Sequence, residues 1–270
     1  MKLALISDVH GNFEALEAVL RDVDRIDPDA KLVCAGDVVG YGPDPEACIA
    51  RLRERHALCV MGNHEEMVLG YRDFSRCVHA GIVAAVWTRE HLSAAARAFL
   101  DALPHRREVA AGVVVCHGDL LSADTYVSTR EQAERALAQL RAHWPQATVL
   151  VCGHTHHAAL FTPASGFRQV SGLADHDLDR APPCIINPGA VGQSRDTEPL
   201  ARYAVLDLEG QTVSFRELPY EHLATIRKLR RAGLVARVVL LPPRGLWRRV
   251  EAYRARCARY WAARRSETAG

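Results

Sequence analysis

The sequence predicts an α/β protein built as a layered sandwich. Strand-like and helix-like segments alternate through the first 70 or so residues, antiparallel strands gather between Tyr203 and Leu218, and polar clusters fall where strand-like runs end. With 270 residues, 49% of them hydrophobic and 24% charged, the chain can bury a large core in one domain and lacks the composition of a disordered protein.

The elements follow in order. Lys2 to Ser7 is a short apolar run that ends in the polar turn Asp8 to Asn12, and Ala15, Leu16, Val19 and Val23 then share one helical face across Glu14 to Val23. The unit recurs: Lys31 to Ala35 reads as a strand stopping at Gly36-Asp37, and Pro45 to Arg55 reads as a helix with proline in its first turn. Leu58 to Met61 is a third strand, ending at Gly62-Asn63-His64 before a helix from Glu65. Phe74 to Leu103 is alanine-rich and predicts two helices broken near Leu92-Ser93, an insert spanning about residues 72–104. Gly112 to Cys116 resumes the strands, and Arg130 to His143 is a helix with Ala133, Leu137 and Leu140 facing inward. Thr148 to Cys152, Cys184 to Ile186, Tyr203 to Leu208 and Thr212 to Leu218 complete the strands, the last two joined by a hairpin-like Glu209-Gly210 turn. The Gly-, Pro-, Asp- and Ser-rich stretch from Thr162 to Pro183 reads as a loop or irregular hairpin.

Composition excludes several classes. Ala110 to Cys116 and Val238 to Leu241 are strand-length, far short of the roughly 18–20 apolar residues that span a bilayer. The N-terminal run has too few apolar residues for a signal-peptide core, so a cytoplasmic location is expected. Eight cysteines show no CxxC spacing and several lie in apolar runs, which predicts reduced, buried thiols. The net charge of +2 conceals an asymmetry: residues 221–270 carry thirteen Lys/Arg against three Asp/Glu, and residues 1–220 carry 21 against 29. In that basic extension Trp247, Val250, Tyr253, Cys257 and Trp261 keep helical spacing. It could dock on the acidic body or a second subunit as a homo-oligomer, or contact nucleic acid or an anionic surface.

Five polar clusters each follow a predicted strand: Asp8-Val-His10, Gly36-Asp37, Gly62-Asn63-His64-Glu65, His117-Gly-Asp119 and Gly153-His154-Thr-His156. Alone, Asp8 could cap a helix and Asp37 could serve a turn. His154 and His156, one residue apart in an extended segment, would point the same way. Ligands of layered α/β sheets bind beyond the carboxyl ends of strands, so the five clusters can converge. Carboxylate, amide and imidazole donors suit Mn, Fe or Zn rather than Ca or Mg. Two ions about 3.5–4 Å apart, bridged by a carboxylate and a water, would use seven such side chains and create a hydroxide nucleophile for phosphorus.

The ordered set DxH, GDxxG, GNH(E/D), a lone His after a strand and GHxH resembles the calcineurin-like metallophosphoesterase superfamily from Lys2 to about Tyr220. The resemblance implies a four-layer αββα sandwich and two divalent ions, with Mn first and Fe, Zn or Ni as alternatives. It implies that Asp8, His10 and His156 hold one ion, Asn63, His117 and His154 the other, and that Asp37 bridges. It also implies that His64 contacts the phosphate and protonates the leaving group. Residues 36–45 and 187–196 resemble the YfcE-like prokaryotic phosphodiesterase branch, which adds Arg195 as a phosphate contact. Protein phosphatases and diadenosine tetraphosphatases of the superfamily carry Asp-Arg-Gly where this chain has Gly40-Tyr41-Gly42. The implied substrate is therefore a small phosphodiester, nucleotides included. A phosphomonoesterase, a dinucleoside polyphosphate hydrolase, a non-catalytic metal-binding scaffold and a nucleic-acid-binding protein are the alternatives. Three further roles stay open: Asp119 as a partner of an imidazole or a turn residue, Tyr41 as a substrate contact or packing, and the insert as a cap on the site or a cover for the sheet edge.

Overall fold

A computed structural model describes residues 1–178, 183–196 and 198–234. The first half alternates β1 (Lys2–Ile6), α1 (Phe13–Ile26), β2 (Lys31–Cys34), α2 (Pro45–Glu54), β3 (Leu58–Cys59) and α3 (Asn63–Leu69). The insert follows as α4 (His79–His91) and α5 (Ala94–Asp101), then β4 (Arg106–Ala110), β5 (Val113–Cys116), α6 (Arg130–His143) and β6 (Val149–Val151). The remainder is β7 (Ala158–Thr162), β8 (Gly166–Gln169), β9 (Ala174–Asp177), β10 (Cys184–Pro188), β11 (Leu200–Asp207), β12 (Thr212–Pro219) and α7 (His222–Arg231).

Two six-stranded sheets result, ordered β3-β2-β1-β11-β12-β9 and β4-β5-β6-β10-β7-β8. Side-chain alternation sorts each strand between two layers. Leu3 and Leu5 meet Val113, Val115, Val149 and Val151 between the sheets, whereas Ala4 and Ile6 face the helices beside Leu16 and Val19. Val114, Cys116 and Leu150 turn the other way, under Leu137 and Leu140 of α6. Each fully buried leucine of these layers contributes roughly 1.5–3 kcal/mol. The order is αββα, as expected. β1, β2 and β3 are parallel in one sheet, and β5, β6 and β10 are parallel in the other. The polar clusters follow the carboxyl ends of five of these strands.

Helix boundaries follow local chemistry. Asn12 Oδ1 accepts from the Ala15 N–H (3.2 Å) to start α1. Thr129 and Gln132 form a reciprocal capping box at α6. Ser93 caps α5 and so fixes the break in the insert. Ala84, Ala85, Ala96 and Leu100 of the insert join the apolar layer between the first sheet and its helices.

Four local differences from the sequence reading have physical causes. β3 has only two residues, because the Met61 N–H leaves the ladder for Pro104 O (2.8 Å). Asn63 and His64 open α3 instead of preceding it. β4 is an additional edge strand paired with β5. At the stretch that reads as a loop or irregular hairpin, β7 and β8 do form a hairpin, and the polar β9 (Ala-Asp-His-Asp) pairs with the distant β12, a pairing that a local pattern does not announce.

The basic extension begins with α7, which docks on the body: Lys228 Nζ lies 2.6 Å from Glu14 and 2.8 Å from Asp44, and Leu229 enters the core. The helical spacing from Trp247 to Trp261 lies outside the described residues. None of the seven described cysteines is joined in a disulfide; Cys77 is partly buried and the other six are buried. Among the described residues no helix is long and apolar enough to cross a membrane.

Candidate metal centre

The loops after the parallel strands are unusual in backbone conformation. Among the described residues eight non-glycine positions have positive φ, and six of them are Asp8, His10, Asp37, Tyr41, His154 and His156, at +48° to +65°. Each such residue costs of order 1 kcal/mol or more, and such strain concentrates at functional sites. Cross-loop bonds hold it in place: Asp8 N–H to Gly36 O (3.1 Å), His10 N–H to Asp37 O (2.9 Å) and Gly153 N–H to His117 O (2.8 Å). Gly62 is required by proximity, since a Cβ there would stand 2.2 Å from Asp37 Oδ1.

These loops bring Asp8, His10, Asp37, Asn63, His117, His154 and His156 together, all of them buried. The Nδ1 atoms of His10, His117 and His156 lie 3.1, 2.7 and 2.7 Å from the carbonyl oxygens of Val39, Ala35 and Gln193. A carbonyl only accepts, so each Nδ1 carries a proton and donates it, which leaves the Nε2 atoms of the neutral His10 and His156 rings as lone pairs. His10 Nε2 and His156 Nε2 then face each other at 3.2 Å, with Asp8 Oδ1 at 3.8 and 3.3 Å from them and itself lacking a hydrogen-bond donor. In the same way His117 Nε2 stands 3.1 Å from Asn63 Oδ1 and 3.2 Å from Asp37 Oδ2. Asp37 Oδ2 is also 3.7 Å from His10 Nε2, so it adjoins both groups. The close-set lone pairs of Asp8, His10 and His156, and the imidazole, carboxylate and amide groups gathered beside them, fit divalent cations. Asp8, His10 and His156 form one such candidate set, and Asp37, His117 and His154 form another.

The electrostatics agree. Burial, reinforced by neighbouring imidazoles, keeps His10 and His156 well below the usual histidine range and lowers His154 to about 3. Such neutral rings are the form that binds metal. Burial opposes charge on His117, but Asp37 and Asp8 outweigh it and push its pKa up to about 10. Burial likewise opposes charge on Asp37, yet His117, His64 and His10 hold its carboxyl well below the usual range. Burial pushes Asp8 up to about 6, with Asp37 adding to the rise and His117 offsetting it. Without a cation, one proton between His117 and Asp37 supplies part of the missing positive charge.

His64 donates its backbone N–H to Asp37 Oδ1 (2.9 Å), and its buried Nδ1 has no hydrogen-bond partner. Arg195 is half-buried and lines the same cleft, which encloses ≈ 640 Å³ partly open to solvent. Asp37, Asn63, His154 and His156 lie at its floor, and Arg72, Arg76 and Val78 form a wall from the start of the insert. Tyr41 is buried edge-on to His10 (4.8 Å between ring centroids) and lines the cleft too. Asp119 is a turn residue: its Oδ1 accepts from the N–H groups of Leu121 and Ser122 at 2.8 Å, and His117 finds its partner in Ala35 O instead. His157 pairs with Asp196 (3.2 Å) and is about a third exposed.

Three further residues beside the site are not among the candidates read from the sequence. Glu65 is buried and accepts from the N–H groups of Asp37, Val39 and Gly62 at 2.8, 3.0 and 2.8 Å, stitching two loops together. Its place after Gly-Asn-His was the available signal. Asp124 and Tyr126, beside His154, had none.

The family model described as the Calcineurin-like phosphoesterase superfamily domain matches residues 1–211, and the chain belongs to that superfamily. It is a metal-dependent phosphoester hydrolase. An uncharacterized protein of Methanocaldococcus jannaschii is 28% identical over 222 residues, 81% of this chain and 88% of that one. Serine/threonine-protein phosphatase 1 of Salmonella typhimurium is 36% identical over 132 residues, 45% of this chain and 60% of the phosphatase. The crystal structure of a metallophosphoesterase from Sphaerobacter thermophilus matches with a TM-score of 0.72 and 31% identity, covering 87% of this chain and 95% of that one.

Proposed function

We propose that the protein hydrolyses phosphodiesters, nucleotides among them, with a dinuclear centre. Asp8, His10 and His156 would hold one ion, Asn63, His117 and His154 the other, and Asp37 would be shared, with Mn the expected metal. The observation that supports this reading is the convergence of buried imidazole nitrogens with carboxyl and amide oxygens in two sets around Asp37. When bound, the two ions would lower the pKa of a nucleophilic water and neutralise phosphoryl oxygens.

The chain's own residues supply the rest. Burial lowers the pKa of His64, so the ring is neutral until an anionic phosphate in the cleft provides the counter-charge that lets it hold a proton for the leaving oxygen. The Arg195 guanidinium matches phosphate as a fork, and the Asn63 amide nitrogen offers a further donor. Preference for a diester is supported by the cleft, whose wall of Arg72, Arg76 and Val78 leaves room for a leaving group beyond the phosphate. It is supported as well by the likeness of residues 36–45 and 187–196 to the phosphodiesterase branch. Gly40-Tyr41-Gly42 argues against a phosphoprotein substrate. In this reading residues 1–220 form the catalytic domain, the insert at about 72–104 shapes substrate choice, and residues 221–270 are a basic extension.

The test is hydrolysis of bis-p-nitrophenyl phosphate and p-nitrophenyl phosphate by metal-stripped protein reloaded with Mn, beside His64→Ala. Metal-dependent diester turnover that falls in the variant is expected. Monoester turnover alone would make the protein a phosphomonoesterase, and silence on both with two ions bound would favour a non-catalytic scaffold.

A further inference from the structure

The loop between β5 and α6 reaches the candidate centre without belonging to it. Gly118 folds it tightly, since a Cβ there would stand 2.5 Å from Ser122 O and 2.8 Å from Thr125 O. The loop presents two side chains to His154. Asp124 Oδ1 lies 3.9 Å from His154 Nε2, and Arg76 Nη1 sits 2.8 Å from Asp124 Oδ2. The Tyr126 ring stacks on the His154 imidazole, with centroids 4.2 Å apart and planes 21° from parallel. The Arg195 guanidinium carbon lies 5.9 Å from the centroid of the same ring, and Arg195 Nη1 donates to the Tyr126 hydroxyl at 3.2 Å. Tyr126 is thus in contact with both a candidate ligand and the candidate phosphate contact, from segments 28 and 69 residues away in the chain.

We propose that Tyr126 is a positioning residue that holds Arg195 and the His154 imidazole in one assembly, so that phosphate capture and the second metal position are set together. This inference rests on the dinuclear reading. The phenol does two separable things. Its hydroxyl orients a long, otherwise mobile guanidinium that a phosphate needs in a fixed fork. Its ring restricts rotation of His154, as partners beyond the ligands commonly do for metal-bound imidazoles. Tyr126 is 40% exposed, so its replacement leaves the core intact.

Isothermal titrations of Mn into metal-stripped protein, and of inorganic phosphate into the Mn-loaded protein, separate the two roles. Tyr126→Phe keeps the ring and loses the hydroxyl. It should weaken phosphate about 3- to 10-fold with Mn binding unchanged. In an Arg195→Ala background the same change should have an effect within about twofold. Tyr126→Leu should in addition weaken one of the two Mn ions about 10-fold. An undiminished effect of Tyr126→Phe without Arg195, or wild-type Mn binding by Tyr126→Leu, would overturn the proposal. If the pattern holds while no phosphoester is hydrolysed, the positioning role stands and the catalytic reading fails. Failure of the unaltered chain to bind Mn would overturn both.

Discussion

Replacing Glu65 by alanine would leave three buried N–H groups, those of Asp37, Val39 and Gly62, without their acceptor. A buried donor stripped of its partner costs about 1–3 kcal/mol. Three would therefore cost roughly 3–9 kcal/mol, and water entering the vacated space would bring the loss towards the lower end. A loss of about 3–4 kcal/mol is a large share of a typical 5–15 kcal/mol stability, though not all of it. Glu65→Gln separates the causes. Its amide oxygen can keep the Asp37 and Gly62 bonds, which Oε2 accepts in the native chain, but its NH2 must face the Val39 N–H. Burial and the Asp37 charge push Glu65 up to about 7, so removing its charge offsets part of that loss. The expected order of stability in urea unfolding is native, then Gln, then Ala. Because the same bonds fix Asp37 opposite Asn63, Mn affinity should fall in that order too. A Glu65→Ala protein within about 0.5 kcal/mol of the native chain, with unaltered Mn binding, would refute the role given to this carboxylate.

Four further outcomes are expected. Asp37→Asn or His154→Ala should reduce Mn-dependent diester turnover at least about 100-fold with helix and sheet content by circular dichroism unchanged; full activity at unchanged metal stoichiometry would remove these residues from the centre. Gly40→Ala places a Cβ 2.2 Å from His64 Nδ1 at φ +85°, so kcat should drop sharply while Mn stoichiometry stays the same. The folded pKa of His117, raised to about 10, lies above its ordinary value of 6.5, so its contribution to stability is complete below that value and is lost as pH rises towards 10. The melting temperature of metal-free protein should accordingly fall between about pH 7 and 9, and saturating Mn should abolish the fall; a flat metal-free profile would contradict the assignment. Deleting residues 235–270 spares α7 and its contacts and should leave Mn-dependent turnover intact, while a strongly salt-dependent loss of RNA or DNA binding in the same variant would assign the basic extension to nucleic acid.

The sequence by itself determined the elements whose signals are local. The apolar run at Lys2–Ile6 and the periodic helices at Phe13–Ile26 and Arg130–His143 were legible from neighbouring residues alone, and the seven candidate ligands were legible because each follows its strand within a few residues. Parallel strands bring their carboxyl ends to one edge, so the order of the motifs already implied that they meet. Only the tertiary structure decided the rest. β4 and β8 are edge strands held by hairpin pairing with their sequence neighbours β5 and β7, and the polar β9, which has no pattern of its own, exists through pairing with the distant β12. The triple acceptance by Glu65, the turn role of Asp119 and the stack of Tyr126 on His154 depend on side chains that meet across long stretches of chain. The left-handed backbone at Asp8, His10, Asp37, His154 and His156 is held by hydrogen bonds between neighbouring loops. Local propensity opposes that conformation, so it is set by contacts between loops that are distant in the chain and not by the residues' own preference.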